Sequence, residues 1–234
     1  MVPRHFKLLS FDVMGTLIDY ERGMLEYLRP RASRAANDEA ILEAIGRTEA
    51  RRYRTHPELP FTRLLAGLYR DVADELGLAQ GPGEAEGFGA AVAAWPPFPD
   101  SVATLRRLGA HFRLVALTNA HNAALDLMAR TLGGPFHDRV TAEDVGVVKP
   151  DPQVFAYCRG RQSAAGFGLG DWLHVAQSQF HDIAVAKRLG FTVAWIERRQ
   201  GKAGSGATPA VAAPAVPDYH FASLAELADA LLPR

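Results

Sequence analysis

Lys7-Leu8-Leu9-Ser10-Phe11-Asp12-Val13-Met14-Gly15-Thr16-Leu17-Ile18 is the stretch on which the reading of the fold turns. Its first half is a short apolar run of strand length, and Gly15 and Thr16 interrupt it just past the first carboxylate, Asp12. The expectation is a buried strand over Lys7–Asp12 that ends in a turn with a carboxylate at its tip. Taken alone, such an aspartate often does no more than cap the next helix. Its meaning depends on what the other strand ends carry.

From about Gly23 to Leu78 the pattern is helical. Leu25, Leu28, Ile41, Leu42, Ile45, Leu64, Leu65, Leu68, Val72 and Leu76 recur at helical spacing, which predicts three or four amphipathic helices. Gly81–Gly89 is expected to break this run before a last helix to Trp95, and Pro96-Pro97-Phe98-Pro99 re-enters the core stiffly. Strand and helix then alternate: helix Asp100–Gly109, strand Arg113–Leu117, helix Ala123–Leu132, strand Arg139–Thr141, helix Pro152–Arg161, strand Trp172–Ala176, helix Ile183–Leu189, strand Thr192–Trp195. Alternation of this kind implies right-handed crossovers and a parallel sheet covered on both faces, an α/β doubly wound fold. Gly201–Pro217 reads as a surface excursion. A strand at Tyr219–Phe221 and a helix opened by a Ser223/Glu226 capping box close the chain.

Composition narrows the partners. The 234 residues are 48% hydrophobic, enough for a full core, and Lys+Arg and Asp+Glu both total 26. No field of one sign exists to collect nucleic acid or a membrane surface, so a small molecule fits better. MVPRHFKLLS leads directly into the first strand without the apolar core of a secretory signal, and no run reaches membrane-spanning length. The single cysteine, Cys158, falls in the Val154–Gly160 helical stretch and reads as packing. These features point to a cytoplasmic protein.

In an open parallel sheet, ligands bind beyond the carboxyl ends of the strands. Polar groups stand at four such places: Asp12, Thr118-Asn119 after Leu114–Leu117, Lys149 just past an expected strand in Val145–Val148, and Gln177 to Asp182 after Leu173–Ala176. Each alone reads equally as a helix cap or a solvated side chain. Their convergence on one crevice carries the weight.

Phe11-Asp12-Val13-Met14-Gly15-Thr16-Leu17-Ile18, Leu117-Thr118-Asn119, Val148-Lys149-Pro150-Asp151-Pro152 and Ser178-Gln179-Phe180-His181-Asp182-Ile183 resemble, in order, the four motifs of the haloacid dehalogenase-like hydrolases. The resemblance implies a Rossmann-like core of strand order 3-2-1-4-5 over residues 1–18 and 98–234, with an all-helical cap inserted over 19–97. It also implies a mechanism. Asp12 attacks the substrate and forms an ester or acyl phosphate, Lys149 keeps it anionic and aimed, and water oriented by Asp182 completes hydrolysis. Thr118 and Asn119 would offer neutral donors to the substrate's own carboxylate or to the nucleophile, Ser178 and Gln179 would help to hold the water, and the Met14–Gly15 amides would form a small anion nest.

Two positions depart from the magnesium-dependent phosphatases that make up most of the superfamily. Their second aspartate, which protonates the leaving alcohol, is replaced here by Met14, and the Gly-Asp of their fourth motif by Ala176-Gln177. A thioether cannot donate a proton. The loss of carboxylates argues for no metal and no other cofactor, with magnesium needed only if the chain is a phosphatase after all. Members that attack carbon show the same losses. The chain resembles the type II L-2-haloacid dehalogenases and, into the cap, (S)-azetidine-2-carboxylate hydrolase. The latter likeness rests on Gly15–Asp19, Trp95-Pro96 with Phe98–Asp100, Thr141-Ala142 with Asp144–Gly146, His181-Asp182, and Ala194–Ile196 with Arg198-Arg199.

The expected function is therefore hydrolysis at carbon of a small 2-substituted carboxylic acid through an Asp12 ester. The alternatives are C–N ring opening of the azetidine type, a magnesium-dependent phosphatase, and a non-catalytic binding module. For the cap, Arg47 is the chosen carboxylate or halide receiver over Arg51 and Arg52, against a plain helical charge run with Glu43 or Glu49. Trp95, Phe98 and Tyr20 are weighed as pocket wall or core, Arg198 as support or surface, and His121 and His181 as assisting bases. By resemblance to relatives with short helical caps, a homodimer is expected.

Overall fold

The computed structural model describes residues 5–33, 36–56, 59 and 61–233; residues 1–4, part of the amino-terminal stretch read against a secretory signal, lie outside them. Six strands, β1 (Leu8–Phe11), β2 (Arg113–Thr118), β3 (Asp138–Thr141), β4 (Trp172–Ala176), β5 (Thr192–Ile196) and β6 (Tyr219–Phe221), form one sheet in the order β3-β2-β1-β4-β5-β6, with every pair parallel. β1 and β4 are buried throughout, which is why their sequences run apolar rather than alternating. The chain turns from β1 toward β2 and β3, then returns to lay β4 on the other side. That reversal opens a crevice beside β1. Phe11 pairs with both Ala116 and Val175, so Asp12 leaves the sheet at its carboxyl edge, its N–H still donating to the Val175 carbonyl at 3.0 Å.

Alternate side chains feed two apolar layers. Leu9, Phe11, Leu114, Ala116, Leu173 and Val175 face α5 (Ser101–Gly109) and α10 (Leu224–Leu231), while Leu8, Val115, Leu117 and Trp172 face α8 (Pro152–Ala164). Each such large side chain, taken wholly out of water, contributes roughly 1.5–3 kcal/mol. Cys158 lies in this second layer, fully buried, and burial pushes its thiol up to about 12, an inert packing residue.

Between β1 and β2 lie α1 (Tyr20–Leu28), α2 (Asp38–Thr55), α3 (Phe61–Leu76) and α4 (Glu84–Ala90), followed by a 3-10 turn at Ala91–Ala94. Asp19 and Asn37 cap α1 and α2 by accepting the N–H of Arg22 and Ala40. The two connections to the sheet run side by side: Asp19 N–H donates to Pro96 O at 2.8 Å and Phe98 N–H to Leu17 O at 3.0 Å. Among the described residues no helix is long and apolar enough to cross a membrane.

Four sequence readings need correction. The helical run does break, but over residues 77–83 rather than over all of Gly81–Gly89, because α4 runs through Gly87 and Gly89; a side chain there would collide with the Tyr27 hydroxyl and with the Thr62 backbone. No strand precedes Lys149. A short helix, α7 (Ala142–Val145), ends at Gly146 and leads into an irregular segment. The Asn119 amide takes the place of a neighbouring strand there, accepting the Lys149 N–H at 2.7 Å and donating to the Lys149 carbonyl at 3.0 Å. The excursion at 201–217 is only partly at the surface, since Gly206–Pro209 is buried. Arg199 draws it inward by pairing with Glu21 and Glu39, and Ala207 backs onto Gly46 of α2. Finally, Ser223 accepts the Glu226 N–H, but the Glu226 carboxylate accepts from Ala222, so only half of the capping box forms.

Candidate active site

Asp12 follows β1 on a turn whose Gly15 has φ of +87°, a conformation that favours glycine. The turn brings Thr16 back so that its hydroxyl donates to Asp12 Oδ2 at 2.6 Å while accepting the Gln177 N–H at 2.8 Å. Beneath it, Arg198 donates to Thr16 O at 3.0 Å, pairs with Asp100 at 2.9 Å and lies over the Phe98 ring, buried support for the turn. Lys149 is 1% exposed, and its Nζ donates to Asp12 Oδ1 at 2.9 Å, Asp182 Oδ1 at 2.7 Å and Leu117 O at 2.9 Å. An ammonium has three protons to give, and all are used within the protein.

Asp182 reaches this lysine because β4 is followed by a π-helical turn, Gln179–Ile183, capped by Ser178, whose hydroxyl accepts the His181 N–H at 2.9 Å. Behind it runs a buried chain: Trp172 Nε1–H donates to Ser10 Oγ at 2.7 Å, Ser10 Oγ meets His174 Nδ1 at 2.7 Å, and His174 Nε2 meets Asp182 Oδ1 at 3.0 Å. An ionised carboxylate only accepts, so Nε2–H donates to Asp182, and in the neutral ring Nδ1 then accepts the Ser10 proton. Among the described residues, Asp182 Oδ2 is buried and left without a partner.

The electrostatics follow from one cation between two carboxylates. Burial opposes ionisation of Asp182, but Lys149 and His174 outweigh it and hold this carboxyl below its ordinary range. Burial and the charge of Asp182 hold Asp12 above its ordinary value against the pull of Lys149. Burial works to neutralise Lys149, yet the two aspartates keep it firmly charged.

Over this cluster lies a cavity of about 30 Å³, walled from the sheet side by Asp12, Met14, Asn119, Lys149, Gln177, Ser178 and His181, and from the helical side by Tyr20, Met24, Glu49, Tyr53 and Phe61. Thr208, from the loop after β5, completes the wall and bonds the Tyr20 hydroxyl at 2.8 Å. Room for on the order of one or two waters remains. Glu49 is 9% exposed, and no cation faces it among the described residues; burial pushes its carboxyl from 4.5 to about 8, only partly offset by the Tyr53 hydroxyl beside it. Burial holds Tyr20 and Tyr53 well above their ordinary values, so both stay neutral. Burial takes His181 down to about 4, also neutral. Among the described residues, His181 Nε2 is buried without a hydrogen-bond partner.

The site residues expected from sequence fall into three groups. Asp12, Lys149 and Asp182 come together, and Met14, Ser178 and Asn119 reach the cavity, although both amide atoms of Asn119 are spent on the Lys149 backbone. Thr118 and Gln179 do not wall it: Thr118 Oγ1 accepts the Ala120 N–H and Gln179 Oε1 accepts the Ala215 N–H. Arg47 lies outside. Two residues from Glu49, it sits about 200° around α2, 61% exposed and paired with Glu75 at 2.6 Å, and Arg52 pairs with Asp71 at 2.7 Å. Trp95 is core against Gly23, and His121 accepts the Phe61 N–H at 2.9 Å away from the cavity. Glu49 and Tyr53 stand in the wall beyond the residues expected from sequence. Their signal lay in the helix register, where Ile41, Ile45, Glu49 and Tyr53 form one stripe with two polar members on a buried face.

A model of the haloacid dehalogenase-like hydrolases matches residues 6–165, and the chain belongs to that family. It is 29% identical over 108 residues to an (S)-2-haloacid dehalogenase of Pseudomonas putida, a match that covers 45% of this chain and 46% of that one. A second Pseudomonas putida (S)-2-haloacid dehalogenase is 28% identical over 144 residues, covering 60% and 62%. The chain thus spans about half the length of the curated relatives it matches. In fold it is similar to the L-2-haloacid dehalogenase of Xanthobacter autotrophicus with chloropropionic acid covalently bound, with TM-score 0.76 and 19% identity over 96% of this chain and 97% of that one.

Proposed function

We propose that this protein hydrolyses a small 2-substituted carboxylic acid by attack of Asp12 on carbon, without a metal, and that the helical insertion over residues 19–97 acts as the cap of a core formed by 1–18 and 98–234. The observation that carries the reading is the three-way lysine. Lys149 fixes Asp12 as an oriented carboxylate and holds Asp182 beside it, with Asp182 Oδ2 left over for a water. A carboxylate needs aim rather than deprotonation, so this arrangement suits a nucleophile. Attack forms the Asp12–carbon ester and expels the leaving group. Water directed by Asp182 then opens the ester at the Asp12 carbonyl and restores the carboxylate. Met14 and the neutral phenols give a wall suited to a displacement at carbon.

The magnesium-dependent phosphatase reading fits less well. Magnesium favours carboxylate-anchored octahedra, and the site's two aspartates already share the Lys149 ammonium, while Met14 and Gln177 supply no acid. The donor set does not fit the ion. A non-catalytic module would have no use for a lysine and two carboxylates buried together, an arrangement that is expensive to desolvate. The same reading carries a small carboxylate as partner, a cytoplasmic setting and a homodimer. Incubation with (S)-2-chloropropionate and with azetidine-2-carboxylate in EDTA, following halide release and ring-opened product, tests it. Turnover of either supports the proposal. Turnover of phosphate esters alone, on adding Mg²⁺, refutes it.

A further inference from the structure

Behind Asp182 lies a histidine that the two-step scheme leaves without a part. His174 sits in the middle of β4, fully buried, its ring edge-on to Phe155 at 5.3 Å between centroids, against the apolar layer that also holds Phe191 and Val193. Burying two ring nitrogens costs free energy unless each finds a partner, and an apolar side chain of similar shape would fill the space without that demand. Both nitrogens are used. Nδ1 meets Ser10 Oγ at 2.7 Å, directly across from it in the pairing of β1 with β4, and Nε2–H donates to Asp182 Oδ1 at 3.0 Å. Ser10 is held in turn by Trp172 Nε1–H at 2.7 Å. The polar line therefore starts in the core and ends on a carboxylate of the site.

The way it ends there sets the two aspartates apart. Asp12 has one side-chain donor on each oxygen, Lys149 on Oδ1 at 2.9 Å and Thr16 on Oδ2 at 2.6 Å. Asp182 has both of its side-chain donors on one oxygen, Lys149 at 2.7 Å and His174 at 3.0 Å from Oδ1, and its Oδ2 is buried without a partner among the described residues. The terminal torsion of an aspartate is broad and nearly two-fold, so Lys149 alone would be served equally by either oxygen. A second donor fixed to the strand beneath removes that freedom. We propose that His174 is a positioning residue for hydrolysis of the ester: by claiming Oδ1 together with Lys149, it keeps Asp182 Oδ2 as the open acceptor for the attacking water. The proposal rests on the Asp12 reading and gives the second half of that reaction a residue of its own. In that half, the water oxygen bonds to the Asp12 carboxyl carbon, and the bond from that carbon to the substrate-derived oxygen breaks. One water proton goes to that oxygen, giving the alcohol, and the other passes through Asp182 Oδ2 to solvent, so Asp12 is a carboxylate again. The first half, in which Asp12 bonds to carbon and the leaving group departs with the electron pair, draws on no contact of His174.

Two amide replacements divide the contacts of the ring between them. The amide nitrogen of glutamine falls near the place of Nε2 and that of asparagine near Nδ1, so His174→Gln keeps a donor to Asp182 and His174→Asn keeps only a partner for Ser10. Wild type, both variants and Asp182→Asn are mixed with (S)-2-chloropropionate and, separately, with azetidine-2-carboxylate in EDTA. Rapid quenching and mass spectrometry of the Asp12 peptide read ester formation and ester loss as separate rates, and thermal melts report folding. In His174→Asn the ester is expected to form within about threefold of the wild-type rate and to be lost about 10- to 100-fold more slowly, the effect of one missing hydrogen bond to a charged group, so it accumulates. His174→Gln is expected to lose the ester within about fivefold of the wild-type rate. A histidine that only pins the strand register gives the reverse order, since His174→Asn is the variant that keeps the Ser10 contact. Equal slowing of both steps, faster ester loss in His174→Asn than in His174→Gln, or failure of both variants to fold overturns the proposal. An ester that accumulates in Asp182→Asn but not in His174→Asn also overturns it and leaves the Asp12 reading intact. No ester on Asp12 in any variant with either compound removes both.

Discussion

On the sheet side of the cavity, polar groups are tied into one network. Lys149 gives its protons to Asp12, Asp182 and Leu117, and Trp172, Ser10 and His174 stand behind Asp182 in a buried line. On the helical side, Glu49 has no cation facing it among the described residues, and the neutral Tyr53 hydroxyl stands beside it. A buried polar group without a partner costs about 1–3 kcal/mol, more when charged. The first wall is bonded largely within itself, with Asp182 Oδ2 and His181 Nε2 left over among the described residues. Under the proposed function, the contrast would separate the part of the site that performs a step from the part that selects what the step is performed on.

The largest effect should come from removing the nucleophile. Asp12→Asn preserves size and the Thr16 contact, so the fold should persist while turnover falls by at least about 10⁴-fold in steady-state assays. Next is the keystone of the closed wall. Lys149→Met leaves Asp12 and Asp182 buried together without a cation, and chemical denaturation should show a loss of about 3–5 kcal/mol with turnover abolished.

The open wall should respond in the other direction. The Glu49 carboxyl sits at about 8 when folded and at 4.5 in the open chain. Between those values the folded protein holds more protons than the unfolded one, so stability falls with rising pH at up to about 1.4 kcal/mol per unit and levels off above about 8. Thermal melts of wild type and Glu49→Gln from pH 5 to 9 should therefore diverge, with the variant gaining steadily up to pH 8 and by no more beyond it. A constant offset would mean that Glu49 is not the buried group described. The smallest effect belongs to Arg47→Ala. As an exposed partner of Glu75, its loss should change stability by less than about 1 kcal/mol and leave KM unchanged. A raised KM would bring Arg47 back into the site.

The sequence expresses the sheet side more clearly than the helical side for physical reasons. Buried parallel strands must be apolar runs between turn signals, and Trp172–Ala176 falls where those signals put it. Polar residues after such runs are then few, and Asp12 and Asp182 are among them. Lys149 is a different case: the apolar run before it resembles a strand, and only the Asn119 amide, thirty residues earlier, explains how an irregular segment can be buried there. The Ser10–His174 contact depends on the register of β1 against β4, which no local pattern encodes. On α2 the register was legible. Glu49 continues the stripe of Ile41 and Ile45, whereas Arg47 points away from it. Thr208 lay in a Gly-, Ala- and Pro-rich stretch with no pattern at all; its place in the wall comes from Arg199 and Gly46 holding that loop against α1 and α2.

The central claim is a covalent bond between Asp12 and substrate carbon, and mass spectrometry of Asp182→Asn tests it most directly. That variant keeps the shape of the site but should hold its water poorly. After incubation with azetidine-2-carboxylate or (S)-2-chloropropionate, the peptide containing Asp12 should gain the mass of the substrate's carbon fragment and lose it slowly in water. An unmodified Asp12 peptide, in a preparation whose wild type turns the same compound over, would contradict the account.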